Sequence, residues 1–288
     1  MSLFGKKSSH GYKHTTTENP HYRIITAEQP LSIAAESYRR IKTSLEFANV
    51  DKHIQVVQIC SGMQGEGKSI TVLNLAATYA EDGKKVIVVD LDFRRPKLHR
   101  SFRQENKNGI TDVLAGHLTL EEAIIHGENG IDCLNRGTKA PYPTALLGSD
   151  GMAQVFETLK SQYEYIIVDC PPILAVSDAA IVSRLCDGCL FVISQSKTEK
   201  AAAKESVKIL RDNGVNVLGV IFTNISAKRG NYYYSNKYKY YYQNYYGKDT
   251  KPSDNKQPLG NQVGTLDGDE ENKEAPAEEP KEEQQENK

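Results

Sequence analysis

The run Gly62-Met63-Gln64-Gly65-Glu66-Gly67-Lys68-Ser69 sits directly after a β-branched apolar stretch, 54–60, and directly before a helical one, 68–81. No other stretch narrows the fold as far. A G-x-x-x-x-G-K-[ST] run between a strand and a helix is a phosphate-binding loop with a mechanical reason for each residue type. The glycines let backbone N–H groups wrap phosphates, and the helix N-terminus adds partial positive charge. Lys68 would neutralise the outer phosphates and the Ser69 hydroxyl would ligate Mg²⁺. The expected ATP contacts are therefore Gly62, Met63, Gln64, Gly65, Glu66, Gly67, Lys68, Ser69 and Ile70.

The flanks supply the rest of the architecture. Apolar stretches 54–60, 86–89, 165–168, 188–194 and 217–222 are short, rich in β-branched residues and unalternating, as strands buried on both faces should be. Between them lie helical stretches at 68–81, 150–162, 178–185 and 199–213, two of them stopped by Gly83 and Gly214, and a capping-box pattern at Thr119 and Glu122. This alternation predicts an α/β fold, a P-loop NTPase whose mostly parallel sheet carries helices on both faces. Ala34, Tyr38, Ile41 and Leu45 recur at helical spacing, which predicts an amphipathic helix over 32–47 that precedes the core. The expected organisation is a flexible arm at 1–29, one domain at 30–226, a tyrosine-rich segment at 227–248 and a disordered acidic tail at 249–288. That tail is rich in Pro, Glu, Gln, Asn and Lys and has too little apolar surface to order itself.

Charge and tyrosine are both unevenly spread. The net charge is 36 − 37 = −1, yet residues 247–288 carry 12 acidic and 6 basic residues, −6, which leaves +5 for residues 1–246. Nine of the sixteen tyrosines fall within 232–246, among Lys228, Arg229, Lys237, Lys239 and Lys248 and no acid. No apolar run approaches the ~18–20 residues of a membrane helix, and the N-terminus lacks a signal peptide's apolar stretch, so the expected location is the cytoplasm. The odd count of five cysteines, mostly in apolar stretches, suits reduced core thiols; Cys186 and Cys189 lack the second CxxC or the His pair of a metal site.

Three carboxylates end predicted strands. Asp169 closes 165–168, and Asp90 and Asp92 close 86–89, followed by Arg94 and Arg95. Open α/β sheets bind their ligands at this rim. Taken singly, each Asp serves equally well as a loop or cap residue. Beside a phosphate loop the three together supply Mg²⁺ ligation and a proton acceptor for an attacking hydroxyl.

The loop 61–69, the Asp90-x-Asp92-x-Arg94 segment, Asp169-Cys170-Pro171-Pro172 and the terminal tyrosines together resemble the bacterial tyrosine kinases (BY-kinases), in the free-standing form found in Gram-positive capsule and exopolysaccharide operons. The resemblance spans about residues 29–246. It implies an ATP-dependent protein-tyrosine kinase in which Lys68 binds phosphate, Ser69, Asp92 and Asp169 attend the magnesium, Asp90 is the candidate base and Arg94 offsets charge on the transferred group. Asn224 matches the position where related P-loop proteins read adenine, and serves equally well as a loop-starting residue. The resemblance further implies autophosphorylation of Tyr232, Tyr233, Tyr234, Tyr238, Tyr240, Tyr241, Tyr242, Tyr245 and Tyr246; the segment's flexible composition, with Glu36 and Arg39 as ring residues, leads to the expectation that it reaches a neighbouring subunit's site in trans. The implied partners are a transmembrane polysaccharide co-polymerase that activates the enzyme and recruits it to the inner face of the membrane, a cognate tyrosine phosphatase, and further copies of the chain in a ring. Glu36, Arg39 and Lys42 correspond to the family's ring motif, with Lys42 in place of its second arginine. Gln64 stands where the family usually has proline, and the acidic tail has no counterpart.

Two other readings compete. A partitioning or cell-division ATPase of the same fold would carry a signature lysine at the position of Met63 and no tyrosine tail. A nucleic-acid-binding module could stack bases on tyrosines interleaved with lysines, but would not need the carboxylates, and no nucleic-acid partner is expected.

Overall fold

The computed structural model describes residues 23–49 and 53–225. The arm before Arg23, the tyrosine-rich segment and the acidic tail lie outside the described residues. Seven strands form one sheet: β1 (Val56–Ser61), β2 (Val86–Asp90), β3 (Ile124–His126), β4 (Ile131–Leu134), β5 (Tyr165–Asp169), β6 (Gly188–Ser194) and β7 (Val217–Thr223). Their order is β3-β4-β2-β5-β1-β6-β7. Every pairing is parallel except β3 with β4. The central strands β1 and β2 are buried at every position, which is why their sequences show no polar alternation.

Helices cover both faces. On one, the Ile33–Ala48 and Lys68–Glu81 helices enclose a core that includes Leu45, Ile59, Val72, Leu75 and Val88. On the other, the Asp150–Gln162, Asp178–Val182 and Lys200–Asp212 helices bury Phe156, Leu159, Val182 and Leu210 against Val89, Val168 and Phe191. With six strands parallel, the carboxyl ends of β1, β2, β5, β6 and β7 open, with that of β4, onto one rim, and the loops there carry the polar residues singled out above.

Three local expectations change. The helix after Ser32 belongs to the core instead of preceding it. Ser32 caps it by accepting the Ala35 N–H at 3.1 Å, and its inward face runs through Ala35, Lys42 and Leu45, with Ala34 turned outward. Second, Ile25–Glu28, within the expected arm, forms a helical turn whose Thr26 N–H reaches the Asn74 side chain at 3.3 Å. Third, the Thr119–Glu122 capping box forms, but its helix lasts only Leu120–Ala123 before Ile124 turns extended into the antiparallel edge β3–β4. Those two strands, three and four residues long, are too short for their pattern to stand out.

The residues matched to a ring motif make contacts within the chain. Arg39 Nε donates to Glu81 Oε2 at 2.9 Å and Nη1 to the Pro30 carbonyl at 2.8 Å, with Glu36 3.9 Å away, while Lys42 pairs with Asp82. All five cysteines are free, with the Cys60 and Cys189 sulfurs 2.7 Å apart in the core. Among the described residues no helix is long and apolar enough to cross a membrane.

Candidate active site: a phosphate loop facing a carboxylate loop

β1 delivers the chain into loop 62–69 at the centre of the rim. Gly65 and Gly67 take φ of 79° and 106°, a region L side chains avoid, and a Cβ on Gly67 would also lie 3.2 Å from the Thr223 side chain. Gly67 ends the loop and the Lys68–Glu81 helix starts at once, so its first-turn N–H groups, which lack intrahelical partners, open toward the cleft. Lys68 is nearly buried, its Nζ donating to Ser61 Oγ at 3.1 Å while Ser61 Oγ donates to the Met63 carbonyl at 2.8 Å. The ammonium is thereby folded into the loop it serves.

The cleft above this loop has a volume of about 550 Å³ and is walled on the far side by Asp92, Arg94, Arg95 and Lys97. Gly62, Met63, Gln64, Gly65, Gly67, Lys68, Ser69 and Ile70 line it as expected from the sequence; Glu66 does not. Glu66 is 1% exposed and its carboxylate turns inward to accept the Met63 N–H at 2.7 Å. Glu66 thus holds the loop together from inside, and the Met63 amide is committed to it.

At the floor, β2 and β5 pair so that Asp90 and Asp169 stand side by side. Asp169 Oδ2 accepts the Ser69 hydroxyl at 2.5 Å, and its buried Oδ1 has no hydrogen-bond partner. Burial pushes the Asp169 carboxyl up, and the Lys68 ammonium opposes that shift. A buried carboxylate oxygen without a donor, next to a hydroxyl at a helix N-terminus, fits a hard cation bound through oxygen.

Asp90, the candidate base, sits behind the cleft wall. It is fully buried and absent from the cleft wall; Oδ2 accepts the Lys97 and Leu98 N–H groups at 2.8 and 3.0 Å, and Oδ1 accepts the Asp92 N–H at 3.2 Å. Burial first, then the neighbouring Asp169 charge, raises its pKa. The Asp90 carboxylate thus anchors the segment that follows β2, at a position buried away from the cleft. Asp92, half-exposed two residues on, is the carboxylate of this segment that faces the cleft.

Arg94 is fixed by an acid the sequence did not single out for the site. Its Nε donates to Oδ2 of the fully buried Asp178 at 2.8 Å, and Thr144 Oγ1 donates to Asp178 Oδ1 at 2.9 Å. Asp178 begins a helix, so nothing in the linear pattern separates it from an ordinary first-turn acid. Arg95 Nη1 donates to Gln64 Oε1 at 2.8 Å, which ties the two loops across the cleft through the residue that stands where the family usually has proline. Asn224 is not among the residues lining this cleft; it takes φ 51° and its Nδ2 donates to Ser194 Oγ at 2.9 Å.

A glycine-rich loop at a helix N-terminus, a folded-in lysine and a carboxylate floor at the carboxyl rim of a parallel sheet define a P-loop nucleotide-binding protein. Comparisons narrow this. Residues 54–197 match the family model described as AAA domain. The tyrosine-protein kinase YwqD of Bacillus subtilis is 40% identical over 199 residues, covering 69% of this chain and 84% of YwqD. The kinase domain of the Escherichia coli tyrosine kinase ETK superposes with a TM-score of 0.69 at 33% identity, over 76% of this chain and 85% of that one. A more distant likeness is the septum site-determining protein MinD of Pyrococcus horikoshii with Mg-ADP, at TM-score 0.51 and 25% identity, over 61% of this chain and 72% of that one. Some curated relatives are longer, and the chain spans about a third of their length. The chain belongs to the bacterial tyrosine-kinase family.

Proposed function

We propose that the cleft binds ATP with Mg²⁺ and transfers the γ-phosphoryl group to tyrosine hydroxyls, foremost those at 232–246. The observation that carries this reading is the meeting of Lys68, Ser69 and Asp92 around one cleft at the carboxyl rim, with Asp169 buried directly behind Ser69 and accepting its hydroxyl. Ser69 and Asp169 would hold the Mg²⁺, Asp169 directly or through water, with Asp92 close to its shell. When bound, the ion offsets charge on the phosphate oxygens. Lys68 and the loop amides orient the phosphates. A tyrosine hydroxyl has pKa ~10 and keeps its proton at neutral pH. Asp92 accepts that proton as the phenolic oxygen bonds to phosphorus and the bond to the ADP oxygen breaks. Arg94, held by Asp178, faces the developing charge, as arginines do in other phosphoryl-transfer sites.

The segment 228–248 has +5 charge and nine tyrosines, and each phosphate adds about −1.5 to −2, so about three reverse its sign. In this reading the acceptor tyrosines reach a neighbouring copy's cleft within a ring built through the helix of Glu36, Arg39 and Lys42. Ring formation requires Arg39 and Lys42 to exchange Glu81 and Asp82 for partners on the neighbour. The chain acts at the inner face of the cell membrane, recruited by a transmembrane polysaccharide co-polymerase, in capsular or exopolysaccharide synthesis, and a tyrosine phosphatase resets it. Met63, where the partitioning ATPases carry a lysine, argues against that alternative.

The test is to incubate the purified chain with Mg-ATP, with and without the activator's cytoplasmic peptide, and map phosphotyrosine by mass spectrometry. Phosphate at 232–246 is the expected result; ATP hydrolysis without phosphotyrosine under either condition assigns the chain to the ATPases. Mixing a Lys68→Met chain that keeps its tyrosines with an active chain lacking them separates transfer in trans from transfer in cis.

A further inference from the structure

A glutamate in a phosphate-binding loop calls for a physical explanation, since two unit charges 4 Å apart repel by about 4 kcal/mol at an effective dielectric of 20. Glu66 avoids that repulsion by facing away from the cleft. Its Oε2 accepts the Met63 N–H at 2.7 Å, and its Oε1 accepts the Thr198 hydroxyl. Thr198 Oγ1 in turn accepts the Ser194 N–H at 2.9 Å, and Ser194 Oγ accepts the Asn224 amide at 2.9 Å. A second tether runs through the backbone, where the Glu66 carbonyl accepts Thr223 Oγ1 at 2.6 Å. Ser194 ends β6 and Thr223 ends β7.

We propose that Glu66 and Thr198 are positioning residues for the phosphate loop, locking its nucleotide-binding shape to the ends of β6 and β7 without touching the nucleotide. The proposal rests on reading the cleft as a nucleotide site. It turns the Met63 amide away from the phosphates, leaving the later loop amides and the first helical turn to receive them. It also gives Asn224 a role, as the far end of the hydrogen-bonded chain that starts at Met63. The loop reaches its binding shape before nucleotide arrives, so the ordering cost of binding falls.

The test uses the full chain and Mg-ADP as the probe, with affinity read by titration calorimetry and nucleotide-free stability by thermal melting. Thr198→Val keeps the side-chain volume and removes the hydroxyl, and Thr198→Ser restores it. Thr198→Val should weaken Mg-ADP binding ~5- to 10-fold and, by leaving the Ser194 N–H and Glu66 Oε1 unpaired, also lower the nucleotide-free melting temperature, whereas Thr198→Ser should recover both. Glu66→Ala, which loses both acceptors, should weaken it by ~10-fold or more. Wild-type affinity in Thr198→Val overturns the proposal, as does a Thr198→Ser chain that regains the melting temperature without regaining the affinity. Turnover abolished in Glu66→Ala at unchanged Mg-ADP affinity also overturns it, because Glu66 would then act on the reacting atoms. Failure of the wild-type chain to bind Mg-ADP refutes the nucleotide site and this inference together, whereas wild-type binding with unaffected variants refutes the inference alone.

Discussion

Two loops face each other across the cleft and reach their shapes by opposite means. Loop 62–69 is tethered to other elements: Glu66 to Thr198, the Glu66 carbonyl to Thr223, Lys68 to Ser61 at the end of β1. Segment 90–98 closes on itself, because the buried Asp90 gathers the N–H groups of Asp92, Lys97 and Leu98. A loop that must present backbone donors can spend few of them internally, here only the Met63 N–H on Glu66, so its neighbours hold the rest. A loop that presents side chains can spend its backbone on its own anchor. The consequence is a division within Asp90-x-Asp92, in which the first carboxylate is buried as the segment's anchor while the second lines the cleft and accepts the Arg95 N–H.

The largest effect that bears on this contrast is at Lys68. Lys68→Met should lower phosphotyrosine formation by ~10²–10³-fold while the melting temperature stays near wild type, since it removes a charge aimed at phosphate. The next comparison targets the carboxylate loop. Asp92→Asn should reduce kcat by ~10²-fold with little change in stability, and Asp90→Ala should cost about 2–3 kcal/mol in urea unfolding by orphaning buried backbone donors. The reverse pattern, an inactive but stable Asp90 variant and an active Asp92 variant, would return the base role to Asp90 and erase the division. A smaller effect is expected at the one side-chain bond between the loops. Gln64→Ala frees Arg95 and should change KM for ATP only ~2- to 3-fold, because that bond is exposed to solvent.

The smallest effect concerns His99, just beyond the carboxylate loop. Burial first, then the charges of Arg100 and Arg136, hold its pKa below the usual 6.5. A base with a lowered folded pKa resists protonation in the native state, so the unfolded chain binds more protons and stability falls as pH drops through 6.5. Wild-type unfolding midpoints should therefore fall between pH 7.5 and 5 by more than those of His99→Gln. Equal slopes would mean that His99 contributes nothing to that fall.

Legibility in the sequence followed the range of the contacts involved. The strands β1, β2, β5 and β6 were readable because burial on both faces leaves unbroken apolar runs; β7 reads the same way, yet at this edge only Ile221 is buried while Val220 and Phe222 are exposed, so its apolar run does not mean burial on both faces. The edge β3–β4 was not, because its few residues owe their pairing to Leu134 and Cys133 meeting Ile124 and Ile125. The placing of Lys68, Ser69, Asp90, Asp92 and Asp169 at the rim was readable because a phosphate loop and carboxylates at or just after strand ends are local patterns. Asp178, Thr198 and Thr223 were not, since each acts on a partner 84, 132 or 157 residues away.

The sequence by itself determined the α/β alternation, the phosphate loop and the rim on which carboxylates would gather, because each depends on neighbours along the chain. Only the tertiary structure decided which of those groups face the cleft. It buried Asp90, turned Glu66 inward, gave Arg94 to Asp178 and seated the Ser32-capped helix on the core. The physical reason is that a polar side chain's role depends on which donors and acceptors folding brings within about 3 Å of it, and no local pattern encodes that.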